Sequence, residues 1–451
     1  MICNKFRSKK CPARLKFEVD ENNTEKNFTL SKNHNHVEPK AEYLIRQFKD
    51  EFKKEITTSS TKPCIIYGKL CLRFPEGATL VPFNSMLSTI NNWRREIRPP
   101  LPKSLKDYVN FLNMEQWKHF LSRNLSKLQV MSIESKDGSS AAVLADKNFL
   151  ETINTTHLLI DATYEVCPRA PTEIYQFLTI MAIIDDNAIP ITWAIMTNKS
   201  KISYKDIFHY FATELAPHLK INLVTSDFEL GLMGAIKSVY IDAEIQGCNF
   251  HFNQAVLKKT KELKLGKLIQ ERDDIKIFIR KLLCLPLLPA NDINEAFLWL
   301  INSHKEIKLL LKELIDYFQS YWIKIIKPAR FCCYRQSNKT NNFIESYHRV
   351  LRLKMGSHPS IWEFTEQLAA LQELKKIETL SLKQNLEIRR QPKLQITMKK
   401  SMYEYVWDLY DNGTLDINQF LECTRHMTQA FNNTKVWTNM DDINNFIVSI
   451  V

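Results

Sequence analysis

Between Thr155 and Gln254 the chain changes character, and this stretch constrains the fold more than any other. HLLIDATYEV, YQFLTIMAIID and IPITWAIMT are apolar, β-rich runs joined by short loops, the pattern of strands covered on both faces. Asp186-Asn187 marks a tight hairpin turn between the second and third runs. SYKDIFHYFATELAPHL reads as a helix ended near Pro217, NLVTSD as a short buried strand, FELGLMGAIKSVY as a second helix and AEIQGCNFHF as a fifth strand. Three strands in a meander, then helix, strand, helix, strand, predict an α/β fold: a mixed sheet with helices on its faces.

Two acids interrupt these apolar runs. Asp161 stands inside HLLIDATYEV, and Asp227 ends the NLVTSD strand. A charge in such a place loses hydration unless a cation compensates it, and a divalent metal is one such cation. Open sheets bind their ligands at the C-terminal ends of strands, where Asp227 falls; an N-cap for the following helix would explain it equally well. A third carboxylate, Glu345 in TNNFIESYH, sits in the first turn of a predicted helix, where it also favours the helix dipole. Three hard oxygen ligands converging on one point are what two-metal phosphodiester chemistry requires. Asp185, Asp186 and Glu165 are read as turn or surface residues.

The chain has 451 residues, room for two to four domains. No apolar run is long enough to span a membrane and no signal-peptide core follows the basic first residues. Ten scattered cysteines fit a reducing compartment. The net charge of +12 is uneven. Residues 1–110 hold 21 Lys and Arg against 12 Asp and Glu, a net of +9, whereas residues 155–254 hold 6 against 11, a net of −5. A basic front and an acidic middle suit a polyanion partner and divalent cations respectively; a merely soluble basic N-terminus gives the same front.

Residues 1–40 carry Cys3, Cys11, His34 and His36, four ligands able to close a tetrahedral Zn²⁺ shell, between two alternating, strand-like runs. Residues 41–150 form an N-terminal region expected to be helical and DNA-binding. AEYLIRQFKDEFKKEI repeats Leu44, Phe48, Phe52 and Ile56 at helical spacing. Prolines and glycines at 61–83 predict short extended pieces and turns, and Ser85 a helix running to about Ile97. Arg94, Arg95 and Arg98 near its end contact phosphates or complement the helix dipole. Pro99 to Pro102 reads as a linker. FLNMEQWKHFLSR is a predicted helix, LQVMSIES and AAVLAD predicted strands. Residues 151–254 are the first part of the core, 255–335 a helical insertion, 336–395 the last part of the core with the Glu345 helix, and 396–451 a C-terminal region of undetermined role. Cys248 and His251 make a C-x-x-H pair that serves as zinc ligands or in a structural or DNA-contacting role. His348, on the face of Glu345, reaches a phosphate or packs.

DATYEVCP, TSDFELGLMGAI, GCNFHFNQA and TNNFIESYHRVLR resemble, in order, the motifs of the MULE domain of Mutator-like transposases, over about residues 80–370. The resemblance implies a ribonuclease-H-like core interrupted by an all-helical insertion. It also implies an Asp-Asp-Glu set of Asp161, Asp227 and Glu345, with 65 and 117 residues between them, holding Mg²⁺ or Mn²⁺. It further implies double-stranded DNA as partner, a homo-oligomer on that DNA and a nuclear location. The segment 1–40 is similar to a FLYWCH-type zinc finger and reads as a truncated one, with Met1 where that family has an upstream Trp. Together they give the expectation of a DNA transposase, with a domesticated, inactive DNA-binding descendant and a ribonuclease-H-like nuclease of another kind as alternatives.

Overall fold

The structure is a computed structural model that describes residues 10–19, 25–35, 40–59, 61–336, 342–389 and 394–426. Cys3, His36 and Asn341 lie outside the described residues. The chain divides into two compact units, Met1–Pro100 and Leu101–Val451.

In the first unit, strands β1 (Leu15–Val19) and β2 (Glu25–Leu30) pair antiparallel. Helices follow: α1 (Lys40–Thr58), α2 (Pro63–Arg73), α3 (Pro75–Leu80) and α4 (Leu87–Glu96). Phe48, Phe52 and Ile56 of α1 are buried with Ile66, Leu70 and Ile90, which gives the short helices one apolar centre. The turns expected at 61–83 are helices instead. Pro63 and Pro75 occupy the first helical positions, where a missing N–H costs nothing and the fixed φ suits the helix. Gly77 packs against α1: a Cβ there would lie 2.9 Å from the Leu44 carbonyl oxygen and 3.0 Å from Phe48 Cβ.

The second unit is built on a seven-stranded mixed sheet. Its strands are β3 (Gln129–Glu134), β4 (Ser140–Ala145), β5 (His157–Thr163), β6 (Gln176–Ile184), β7 (Asn187–Met196), β8 (Leu223–Ser226) and β9 (Glu244–Gly247). They lie in the order β3-β4-β7-β6-β5-β8-β9. The pairs from β3 to β5 are antiparallel, and β5-β8-β9 run parallel. This is the ribonuclease-H-like arrangement, with the β3–β4 hairpin added at one edge, so residues 129–145 belong to the core sheet. The β6–β7 turn is Asp185-Asp186, one residue earlier than the sequence suggests: both have positive φ, 45° and 58°, as a two-residue turn matched to strand twist requires.

Helices cover both faces. α5 (Leu105–Asn113) is capped by Ser104, whose hydroxyl accepts from Asp107 N. α6 (Lys201–Tyr210) and α7 (Leu230–Val239) pack on the face carrying Leu158, Ile160 and Ile180. The opposite face, with Leu159, Phe177 and Trp193, takes α5. After β9 come α8 (Asn249–Glu262), α9 (Asp273–Cys284) and α10 (Ile293–Asn302), within a separate apolar core that also holds Phe318 and Trp322. Helices α11 (Asn342–Met355) and α12 (Ile361–Lys383) return to the sheet, joining α5 on its face. α13 (Leu394–Asp411) and α14 (Ile417–Arg425) bury Val406, Trp407 and Phe420 in the insertion's core, and Trp407 Nε1 donates to the Leu287 carbonyl at 2.7 Å.

No described helix is long and apolar enough to cross a membrane.

Candidate active site

Side chains alternate across a strand, so Asp161 shares the face of Leu159, the face on which α11 packs. In α11, Ile344, Tyr347 and Leu351 are buried at helical spacing, and Trp193 Nε1 donates to Tyr347 Oη at 3.0 Å. That anchorage fixes the helix's rotation, and His348 reaches Asp161 of β5 while Glu345, three residues earlier, reaches His251. His348 Nδ1 is 3.4 Å from Asp161 Oδ2. Its Nε2 is 3.3 Å from Thr179 Oγ1. Thr179 pairs with Asp161 across the β5–β6 ladder. Burial pushes His348 down to about 4.

Asp227 comes from the other side. It follows β8 directly, and the N-cap of α7 is Glu229, so the capping role open to Asp227 in the sequence does not engage it. The expected fifth strand is shorter than the sequence suggests. β9 ends at Gly247, Cys248 takes the N-cap position of α8 and His251 lies in that helix's first turn. The ring of Phe228 fills the space beside Gly247 that a Cβ would occupy, and the chain turns there. As a result His251 points back into the sheet's end. Its Nδ1 is 2.6 Å from Asp227 Oδ1 and its Nε2 3.6 Å from Glu345 Oε1.

Of the three carboxylates of the sequence analysis, Asp161 on β5 neighbours Asp227 after β8, and His251 stands between Asp227 and Glu345 of α11. Asp161 is buried, 5% exposed. Its carboxyl is held well above the usual range, first by burial and then by the Asp227 charge. Glu345 is raised by burial too, with Asp227 adding and His251 opposing. Burial disfavours a charged His251, yet Asp227 and then Cys248 outweigh it and lift the imidazole to about 11. Asp227 Oδ1, His251 Nδ1 and Glu345 Oε1 are shut off from solvent without an aligned hydrogen bond among the described residues. Crowded, mutually repelling acids and unaligned buried polar atoms are what a divalent cation resolves, so the residues fit Mg²⁺ or Mn²⁺. Beside them opens a cavity of about 430 Å³ lined by Asp161, Tyr164, Tyr175, Lys199, Asp227 and Glu229.

Residues 157–255 match the MULE transposase domain. The match begins at the first residue of β5 and ends within α8, so the transposase-domain segment contains Asp161, Asp227, Cys248 and His251. Glu345 lies beyond it and joins the site through the fold. No curated protein matches the chain.

The remaining candidates divide. Cys248 is fully buried, beyond the reach of a DNA phosphate. Arg94 is 8% exposed and donates from its Nη2 to the Thr61 carbonyl at 2.9 Å, a structural role, while Arg95 is exposed and Arg98 half-buried. Glu165 pairs with Arg352 at 3.0 Å on the surface, away from the triad's ion pairs. In the first unit Cys11 Sγ lies 3.4 Å from His34 Nδ1. Sequence reasoning did not single out Thr179 or Phe228. Nothing marks Thr179 in a run of β residues, because only the β5–β6 register sets it opposite Asp161.

Proposed function

We propose that the chain cleaves and joins DNA strands at the ends of a mobile element, using Asp161, Asp227 and Glu345 as the carboxylates of a metal-dependent phosphoryl-transfer site. The observation that carries this reading is the neighbourhood of the three acids, Asp161 beside Asp227 and Asp227 linked through His251 to Glu345, two of them within the segment that matches a transposase domain. The three would hold a divalent cation, which when bound activates the attacking water or 3′-hydroxyl and stabilises the leaving oxygen. His348 stands beside Asp161 and is itself held by Thr179. His251 fixes Asp227 relative to Glu345. The neighbouring cavity, with Lys199 and two tyrosines on its wall, accommodates a phosphate and the nucleotide beside it.

DNA is held on this reading by the basic N-terminal region, Arg95 included, and by the basic start of the insertion, on a homo-oligomer in the nucleus. A zinc ion in the N-terminal segment is supported by the Cys11–His34 approach. Its 3.4 Å is close to the edge of a tetrahedral shell, about 3.5 Å for one Zn–S and one Zn–N bond.

The test is strand cleavage and joining on duplex DNA bearing the element's ends, with Mg²⁺ or Mn²⁺. Wild type is expected to act and Asp227→Ala to lose at least about a thousandfold, the equivalent of about 4 kcal/mol of transition-state stabilisation. DNA binding without cleavage by wild type would overturn the enzymatic reading.

A further inference from the structure

We propose that Cys248, His251 and Glu345 form a second metal site, suited to an ion of the Zn²⁺ class, that shares Glu345 with the phosphoryl-transfer triad. One ligand atom from each residue, a thiol sulfur, a ring nitrogen and a carboxylate oxygen, lies within 4.8 Å of the other two. In a tetrahedral zinc shell the ligand atoms stand about 3.5 Å apart, so rotamer adjustments close the gap. Cys248 and His251 are brought together by the start of α8, one at its N-cap and one in its first turn. Glu345 arrives from α11, where the buried stripe of Ile344, Tyr347 and Leu351 aims it.

The donor set chooses the metal. A thiolate and an imidazole favour Zn²⁺ or Co²⁺, whereas Mg²⁺ takes oxygen ligands and keeps its water. Three protein ligands leave a fourth position open, the pattern of reactive rather than purely structural zinc sites. The Cys248 sulfur is too deep to touch DNA, and Glu345 Oε1 is shut off from solvent without an aligned hydrogen bond.

Sharing has a consequence. An ion bound by Cys248 and His251 draws Glu345 to itself, so Zn²⁺ withdraws a ligand from the Mg²⁺-dependent reaction. Inhibition by Zn²⁺ rests on the function proposed above; the binding itself does not.

The experiment titrates Co²⁺ into the 451-residue chain without DNA, following thiolate-to-cobalt charge transfer and bound metal per chain. Comparing variants cancels any cobalt held by the N-terminal cysteine and histidine ligands. Cys248→Ala is expected to bind about one Co²⁺ fewer than wild type and to lose the corresponding part of the charge-transfer band. Glu345→Gln, a half-buried, near-isosteric change on α11 that does not depend on whether the buried cysteine tolerates replacement, is expected to weaken the same equivalent at least tenfold. Asp161→Asn, which removes a triad carboxylate only, is expected to keep both band and stoichiometry. Equal cobalt stoichiometry in wild type, Cys248→Ala and Glu345→Gln would overturn the site. Loss of the band in Asp161→Asn would overturn its separateness from the triad. Failure of DNA cleavage in Mg²⁺ alongside an intact cobalt site would count against the proposed function alone.

Discussion

Gly247→Ala tests whether the turn from β9 into α8 is what aims His251 at Asp227. A Cβ at Gly247 would lie 2.0 Å from Phe228 Cε1, 2.2 Å from Cζ and 2.7 Å from Cδ1. Carbon atoms in contact stand about 3.5–4.0 Å apart, so the ring must retreat by roughly 1.5 Å. Its other side is held by Trp322, at a centroid distance of 4.8 Å and an interplanar angle of 88°, and through Trp322 by the insertion's core. Overpacking of this kind costs about 1–3 kcal/mol, and disturbing an aromatic pair about 1 kcal/mol more. We expect a loss near 3 kcal/mol, which lowers the urea midpoint by about 1 M for a slope near 3 kcal/mol/M. Because Phe228 directly follows Asp227, DNA cleavage should fall as well. Phe228→Ala combined with Gly247→Ala removes the clash, so the double variant should be more stable than the sum of the single losses by about 1–3 kcal/mol. A single variant that unfolds at the wild-type urea concentration, or strict additivity, would refute the steric reasoning.

Four further outcomes are expected. Arg94→Ala should destabilise the first unit by about 1–3 kcal/mol in thermal melts, through loss of its bond to the Thr61 carbonyl. Arg95→Ala should leave the melt unchanged and reduce the salt slope of DNA binding by about one. Asp146→Ala should cost about 2–4 kcal/mol by urea unfolding, since this buried carboxylate accepts from Phe149 N and Lys127 N, each at 3.1 Å. His157, with Nε2 2.8 Å from Thr225 Oγ1 between β5 and β8, is pushed by burial down to about 4. The folded state therefore binds this proton more weakly than the unfolded chain. The stability it confers is complete above pH 6.5 and is lost as pH falls from 6.5 to 4, by at most about 3 kcal/mol and about half of that after allowing for partial exposure. His157→Gln should flatten the stability profile in that window; an unchanged slope would remove His157 from the account.

The sequence by itself determined the strand succession from β5 to β9, the helical insertion and the positions of Asp161, Asp227 and Glu345. Each of these is written locally: apolar runs of strand length, a charge where hydration is lost, an acid in a helix's first turn. Its errors were local as well. Pro63 and Pro75 read as breakers because proline ends a helix from inside but suits its first position. Cys248 and His251 read as strand because Phe228, which stops β9 at Gly247, acts from the neighbouring strand's end. What only tertiary structure decided is which of these residues meet. Strand register put Thr179 opposite Asp161, and the buried stripe of α11 rotated His348 toward Asp161 and Glu345 toward His251. The turn at Gly247 then brought His251, and Cys248 with it, to Glu345 of α11. Such pairings depend on packing between segments far apart in the chain, and a pattern read along one strand or one helix carries no record of its partner.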